Sequence, residues 1–280
     1  MTPDRPALVS TSGFTLVELA ALFTRGFAGY LVPVHVSPEA LATRIRVEHV
    51  DLEASRVVVD AQGAALALAL IARRGRECRL AAFGIVEAAR GQGLGTRAMT
   101  GLIEEARTRG DRRMLLEVFE ANRAGVALYE RLGFVTQRPL IGWEGALPPV
   151  EDPALREVEP GALGHAIARH REPDAPPLPW QVRAEGFVGM TAPYRAFALD
   201  DAIATVVTRG PALHLSGLFT RPGARRRGQA ARLVRAIVAH LGPDRVIVPP
   251  IVPEEIARDW CAAVGLVPSA LAQREMALAL

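Results

Sequence analysis

Lysine is missing from this chain of 280 residues: all 33 of its basic side chains are arginine. No ε-amine is therefore available for a Schiff base, which excludes lysine-anchored pyridoxal chemistry, and no Walker-type phosphate loop can be built. Cysteine is nearly missing too. Cys78 and Cys261 lie far apart and lack a C-x-x-C partner, which excludes a disulfide frame and a thiolate zinc site and fits a reduced, cytoplasmic setting. Asparagine occurs once, at Asn122. Aromatic residues make up 5% of the chain and the net charge is only +3, so there is no basic stripe interleaved with aromatics of the kind that binds nucleic acid. The longest apolar run, Ala64–Ala72, is nine residues, against about 20 needed to cross a bilayer. No basic segment followed by an apolar one opens the chain as a signal peptide would, so no membrane partner is expected. The six histidines form no H-E-x-x-H or H-x-x-H pair, and no metal is expected.

Half of the residues are apolar, and the length suits two domains better than one. The apolar spacing of Thr15–Phe27 is helical, and Ser37-Pro38-Glu39 reads as an N-cap with proline at the first helical position, opening a helix to about Glu48. Three strand-like runs follow, Arg56–Ala61, Ala64–Ala72 and Arg79–Val86, separated by the turn signals Gln62-Gly63 and Arg74-Gly75, as in an antiparallel meander. Gly95–Arg109 is a helix by period, Met114–Phe119 a strand, and Asn122 caps a helix to Leu132 that Gly133 ends. Phe134–Trp143 reads as a closing pair of strands. The proline-rich, acidic stretch 145-GALPPVEDPALREVEP-160 reads as a linker. Beyond it come a strand at Leu213–Phe219, a basic turn at Arg225–Ala230, a helix at Ala231–Leu241, a strand at Val246–Val248 and a helix at Glu254–Val264. This second series repeats the first at a steady offset: Arg90 to Arg225 and Gly95 to Ala230 are both 135 residues, and Gly133 to Gly265 is 132. A repeat of half the chain is a tandem duplication, with domains at 1–146 and 161–280 and a linker at 147–160.

The turn 90-RGQGLGT-96 carries the chemistry. A strand runs into three alternating glycines, Gly91, Gly93 and Gly95, which open a helix. The first N–H groups of a helix lack internal acceptors, its dipole favours negative charge there, and glycine lets the backbone come close to phosphate oxygens. The turn therefore asks for a phosphate. The dinucleotide fingerprint G-x-G-x-x-G does not fit, because Thr96 stands where the third glycine belongs.

The arrangement resembles the GNAT acetyltransferase superfamily. From Phe83 to Phe134 the order is strand, R-x-x-G-x-G turn, helix, then 116-LEVFEANRAGVALYERLGF-134, which is similar to the superfamily's L-E-V…N-x-x-A-x-x-L-Y-x-x-x-G-F block. The resemblance implies an α/β fold of the α+β type, with two tandem domains, each a mixed, mostly antiparallel sheet flanked by helices and splayed open between two parallel strands, here Arg79–Val86 and Met114–Phe119. It implies acetyl-CoA as co-substrate. Its diphosphate would be held by the backbone of Gly91, Gln92, Gly93, Leu94, Gly95 and Thr96, its pantetheine arm would pair with the strand edge at Ile85 and Val86, and Arg90 and Arg97 would screen its outer phosphate. Asn122 would cap its helix and hold cofactor or water. Tyr129 is where the superfamily keeps a general acid, here a proton donor to the departing thiolate, with its role as a packed aromatic as the alternative. The general base is open among Glu87, Glu117 and Glu120, with Glu87 standing just before the turn. Counting back from Gly265, Cys261 takes the place of Tyr129 and Glu254 that of Asn122, so the first domain is expected to catalyse and the second to brace it. The acceptor would be an amine of a small molecule or peptide. The competing expectation is a non-catalytic pair of domains that binds or senses acyl-CoA.

Overall fold

The computed structural model of the protein describes residues 6–172 and 174–280. The chain divides into two compact units, Met1–Arg138 with Arg274–Leu280, and Pro139–Gln273. The first begins with β1 (Ala7–Ser10), α1 (Leu16–Gly26), α2 (Pro38–Glu48), β2 (Val50–Val59), β3 (Ala65–Arg74) and β4 (Glu77–Ile85). It continues through α3 (Leu94–Thr108), β5 (Arg113–Phe119) and α4 (Arg123–Arg131) into the start of β6 (Val135–Gly145).

Local chemistry sets most of these boundaries. Thr15 caps α1 in a reciprocal box with Glu18, whose carboxylate accepts from the Thr15 N–H at 2.8 Å. Ser37 caps α2 ahead of Pro38, and Asn122 caps α4 by accepting from the Gly125 N–H at 3.0 Å. The strands β1 to β4 pair antiparallel in sequence order, and β5 joins β4 in parallel. The sequence-predicted strand at Arg56–Ala61 starts earlier, at Val50, and an edge strand that periodicity did not reveal, β1, lies outside it.

The second unit holds β7 (Arg156–Val158), α5 (Ala162–His170), α6 (Ala184–Val188), β8 (Arg195–Leu199), β9 (Ala202–Arg209), β10 (Ala212–Thr220), α7 (Gln229–Leu241), β11 (Arg245–Val248), α8 (Glu254–Ala263) and the start of β12 (Val267–Ala279). Here β7 to β10 are antiparallel and β10 and β11 parallel, and the far end of β6 flanks β11. Each unit thus has a mixed, mostly antiparallel sheet with helices against it. The repeat seen in the sequence is a repeat of topology.

The structure departs from three expectations. The run expected as a pair of strands at Phe134–Trp143 is one continuous strand, β6 (Val135–Gly145), which Pro139 and Gly142 do not break. Its neighbour is β12, and in the first unit Arg138 on β6 donates to Glu275 on β12 at 2.7 Å. The stretch at 147–160 is not bare linker either: Arg156–Val158 is the edge strand β7, and Asp152 accepts from Arg232 on α7. The compact units likewise differ from a division at 1–146 and 161–280, because Arg274–Leu280 belongs with the first unit. Met276 and Leu278 lie in one apolar cluster with Met114, Leu116, Tyr129 and Phe134. Burying that face, about 25 cal/mol per Å² of apolar surface, is what ties the end of the chain to β5 and α4.

Candidate active site

The first unit opens between its two parallel strands. Pairing of β4 with β5 runs from Glu77↔Arg113 to Leu80↔Leu116 and ends there, although β4 continues to Ile85 and β5 to Phe119. The outer half of β4 has only β3 as a partner, with Ala67↔Ile85 as the last pair. In an antiparallel ladder alternate residues turn their peptide groups toward the partner. The Val86 N–H goes to the Leu66 carbonyl at 2.9 Å, and the Val86 carbonyl accepts from Ala89 at 2.9 Å. The edge left toward the opening therefore belongs to Phe83 and Ile85. Of the two residues expected to receive an extended ligand arm, Ile85 turns its N–H toward the opening while its carbonyl takes Arg90, and Val86 is engaged within the chain.

Glu87–Ala89 is a short 3-10 turn capped by Val86, and Glu87 stands exposed just beyond the end of β4. The glycine turn follows. Gly91 and Gly93 have φ of 74° and 72°, the left-handed region that side chains resist. Gly93 is the N-cap of α3, and the first bond back into that cap is Arg97 N–H to the Gly93 carbonyl at 3.2 Å. The N–H groups of Leu94, Gly95 and Thr96 precede that bond, as the first amides of a helix do. Gln92, Gly93 and Thr96 are exposed, and Leu94 is buried in a cluster with Val58, Ala67, Ala89 and Ala98.

The arginines of the turn are engaged within the chain. Arg90 donates its Nε to the Ile85 carbonyl at 2.9 Å and one Nη to the carbonyls of Gly26 and Ala28 at 3.0 and 2.8 Å. It ties the end of β4 to the loop after α1. Arg97 folds back onto the Gln92 carbonyl at 3.1 Å. Both brace the turn.

Tyr129 reaches the same region from α4. It is buried, edge-on to Phe134 with ring centroids 5.8 Å apart. Burial pushes its phenol well above the ordinary value, and the charge of a neighbouring phenol, Tyr30, adds to the shift. Tyr30 is a residue whose place the sequence left undefined. It lies in the loop after α1, its hydroxyl 3.5 Å from Asn122 Nδ2, and it joins Phe27 at 5.3 Å to Phe119 at 6.0 Å. Phe27 rests on Gly84 of β4: a Cβ on Gly84 would meet the Phe27 ring at 2.9 Å, so only glycine fits. Phe27, Tyr30 and Phe119 therefore link the separated ends of β4 and β5. Burial raises the Tyr30 phenol too, against the hydrogen bond from Asn122.

The three carboxylates named from the sequence are not equivalent. Glu120 is exposed and accepts from Arg274 at 3.2 Å. Glu87 is exposed near the turn. Glu117 is the first β5 residue past the last pair with β4. Its side chain is 3% exposed and bound through Oε2 to Arg79, while its Oε1 is buried with no hydrogen-bond partner. An arginine within an apolar strand, as in 78-CRLAAF-83, was the signal for such a pair, because charges are rarely buried alone. Neither cysteine is a nucleophile: burial pushes Cys78 and Cys261 up to about 12, so both stay protonated. No cluster of three or more metal-ligating side chains occurs among the described residues.

A strand pair that parts halfway, with a left-handed glycine opening a helix at its outer end and a capped helix carrying a phenol opposite, frames the candidate site. Residues 18–134 match the acetyltransferase (GNAT) family. The chain is similar to an uncharacterized N-acetyltransferase of Bacillus subtilis, YdgE, with 41% identity over 59 residues, 21% of this chain and 38% of that relative's length. Among solved structures it is similar to a GCN5-related N-acetyltransferase from Sphaerobacter thermophilus, with 15% identity, coverage of 100% of this chain and 97% of the other, and a TM-score of 0.68. It is similar also to a tandem GNAT protein of the clavulanic acid biosynthesis pathway, with 13% identity, 98% of both chains covered and a TM-score of 0.66. At such identities the structures share the fold alone: two units in tandem, each with a mixed, mostly antiparallel sheet flanked by helices. The family's general activity is acetyl transfer.

Proposed function

We propose that the protein is an N-acetyltransferase in which the first unit moves an acetyl group from acetyl-CoA directly to an amine of a small molecule or peptide. The observation that carries the reading is the pairing of one anion-ready turn with one buried phenol on either side of the parted strands. The amides of Leu94, Gly95 and Thr96 would hold the diphosphate, with Gly91, Gln92 and Gly93 shaping its bed. The edge at Phe83 and Ile85 would align the pantetheine arm. Acetyl-CoA supplies the activated acetyl group, and the chain's own residues handle protons.

Tyr129 keeps its proton at any working pH, because its phenol is raised by burial. A thiol's ordinary pKa is about 8.5, so full transfer from this phenol to the leaving thiolate is uphill. Its role is to donate a hydrogen bond to sulfur as negative charge gathers there. Asn122 caps α4 and donates to Tyr30, which holds the helix that carries Tyr129. The amine proton needs an acceptor. Glu117, at the parting of the strands with one oxygen unengaged, fits that role better than Glu87, which remains the solvent-side alternative. Direct transfer is supported by the protonated state of Cys78, which leaves no thiolate to carry an acyl group. In the second unit Cys261 stands where Tyr129 would be, which supports a bracing role for that unit.

Calorimetry of acetyl-CoA binding, paired with thiol release over a panel of primary amines, tests the proposal. One acetyl-CoA per chain and amine-dependent thiol release are expected. Binding without turnover by any amine would favour an acyl-CoA sensor, and no binding at all would end the reading.

A further inference from the structure

Arg79 is the most deeply set charge of the first unit, 2% exposed in the middle of β4. Its Nε and one Nη reach Glu117 Oε2 at 2.7 and 2.5 Å, and its other Nη reaches Glu48 Oε2 at 2.6 Å. Glu48 ends α2, where Arg44 holds its second oxygen at 3.1 Å. The neighbours along both strands are apolar: Leu80, Ala81 and Ala82 on β4, Leu116 and Val118 on β5. Packing alone would be served as well by apolar residues, since a buried ion pair seldom repays the loss of its hydration. The cluster's position is what sets it apart. Arg79 lies opposite Leu115, just inside the last pairs of β4 with β5, and Glu117 is the first residue outside them. One Glu117 oxygen is fixed and the other, Oε1, is buried without a partner.

We propose that Arg79 is a positioning residue for acyl transfer: it pins Glu117 by one carboxylate oxygen and leaves the other oxygen to take the proton of the acceptor amine. The inference rests on the acetyltransferase reading above. In the step it serves, a proton of the acceptor's ammonium passes to Glu117 Oε1 and the nitrogen's electron pair forms the bond to the thioester carbonyl carbon. The carbon–sulfur bond breaks, and sulfur leaves with its electron pair beside Tyr129. The second proton on nitrogen goes to water.

Charged groups flank Glu117 on several elements. From β4 it faces Arg79, and from β12 it faces Glu275, whose carboxyl is pushed up by burial and by Glu117 itself, against Arg138 on β6 and Arg113 on β5. Arg79 also holds Glu48, which burial pushes up and Arg44, Arg79 and Arg74 together hold below the usual carboxylate range. Among these groups Arg79 is the cation that fixes Glu117 Oε2.

The test is steady-state kinetics of the full chain with the amine panel, beside calorimetry of acetyl-CoA binding. In Arg79→Met, kcat/KM for the amine is expected to fall about tenfold or more while acetyl-CoA affinity stays, and Arg79→Lys should recover part of the loss. Because Arg79 acts through Glu117, the Arg79→Met, Glu117→Gln double variant should lose no more than Glu117→Gln alone. Should Arg79→Met fail to fold, Arg79→Lys alone and combined with Glu117→Gln carries the same comparison. Losses that add in the double variant, or amine kinetics unmoved in the folded single variants, overturn the proposal. Wild-type protein that binds acetyl-CoA but releases thiol with no amine defeats the acetyltransferase reading itself.

Discussion

Replacing Met276 with alanine should loosen the half of the molecule that lies furthest from it in sequence. Met276 is fully buried on β12 and packs in the cluster that contains Met114, Leu116, Tyr129 and Phe134. Truncating a buried methionine costs about 2–5 kcal/mol, from lost burial plus the cavity left behind. The site argues for the middle of that range: strands flank it and Gly133 already approaches Leu278 at contact distance, so collapse is limited. A loss of about 3 kcal/mol raises the local opening equilibrium by roughly two orders of magnitude, at about 1.4 kcal/mol per tenfold. Native hydrogen exchange read by mass spectrometry places the effect. Peptides covering β5 and α4 should lose protection, while those covering β8, β9 and β10 keep theirs. Loss confined to 139–273, or none in β5 and α4, would refute the assignment of Arg274–Leu280 to the first unit.

Gly93→Val forces a β-branched residue to φ near 72°, so acetyl-CoA binding by calorimetry should vanish while the melting profile of the unit survives. Tyr129→Phe should lower kcat about 100-fold, in the range for an acid or hydrogen-bonding group at the reacting atom, with acetyl-CoA affinity retained; unchanged turnover would leave Tyr129 a packing residue. Arg226 holds φ at 60°, and Arg226→Gly should raise the melting temperature of the second unit through a gain of about 1 kcal/mol. The Glu48 carboxyl is lower in the folded state than in the unfolded chain, so its stabilising contribution is present above about pH 4.5 and lost as pH falls through the folded value. Glu48→Gln should therefore melt lower than wild type at pH 7, with the two converging in acid.

Features written in local chemistry were legible. The caps at Thr15, Ser37 and Asn122, the stops at Gly133 and Gly265 and the left-handed Gly93 are set by one or two side chains and their own backbone, so spacing alone finds them. The equivalence of Tyr129 and Cys261 was legible for the same reason, and backbone geometry repeats it: Phe134 N–H bonds to the Tyr129 carbonyl at 3.0 Å and Leu266 N–H to the Cys261 carbonyl at 2.9 Å. Features set by distant partners were not. The strand β12 carries Gln273, Arg274 and Glu275 across its middle, and reads as a strand only once Arg138 is there to receive Glu275 and Tyr129 to bury Met276. The edge strand β7 hides in proline-rich text, and β1 is four residues long. The site divided the same way. The glycine turn and Tyr129 stood out, but Tyr30 and the pair of Arg79 with Glu117 depend on which elements fold against one another.

The first letter of the R-x-x-G-x-G turn can be understood by comparing the two units. Arg90 gives its Nε to the carbonyl five residues earlier, that of Ile85, at 2.9 Å, and Arg225 does the same to Thr220 at 3.2 Å. Each follows a short 3-10 turn and precedes a left-handed N-cap glycine, Gly93 or Gly228. A guanidinium that served only a ligand would have no reason to adopt the same internal bond in the unit where Cys261 replaces the phenol. A guanidinium that turns the chain from strand to helix is needed in both, because the strand must end and the helix begin at a fixed angle whether or not anything binds. The second unit even holds Arg226 at φ 60°, near the φ of 74° that Gly91 has in the first, so the turn's shape persists where the glycine that eases it does not. Arginine in this motif is thus a brace, and ligand binding falls to the amides it positions. It follows that Arg90→Lys, which loses the forked reach to Ile85, Gly26 and Ala28, should weaken acetyl-CoA binding through loosening of the loop after α1. Hydrogen exchange should quicken around residues 26–30 in the unliganded protein. Weakened binding with exchange there unchanged would return Arg90 to the ligand.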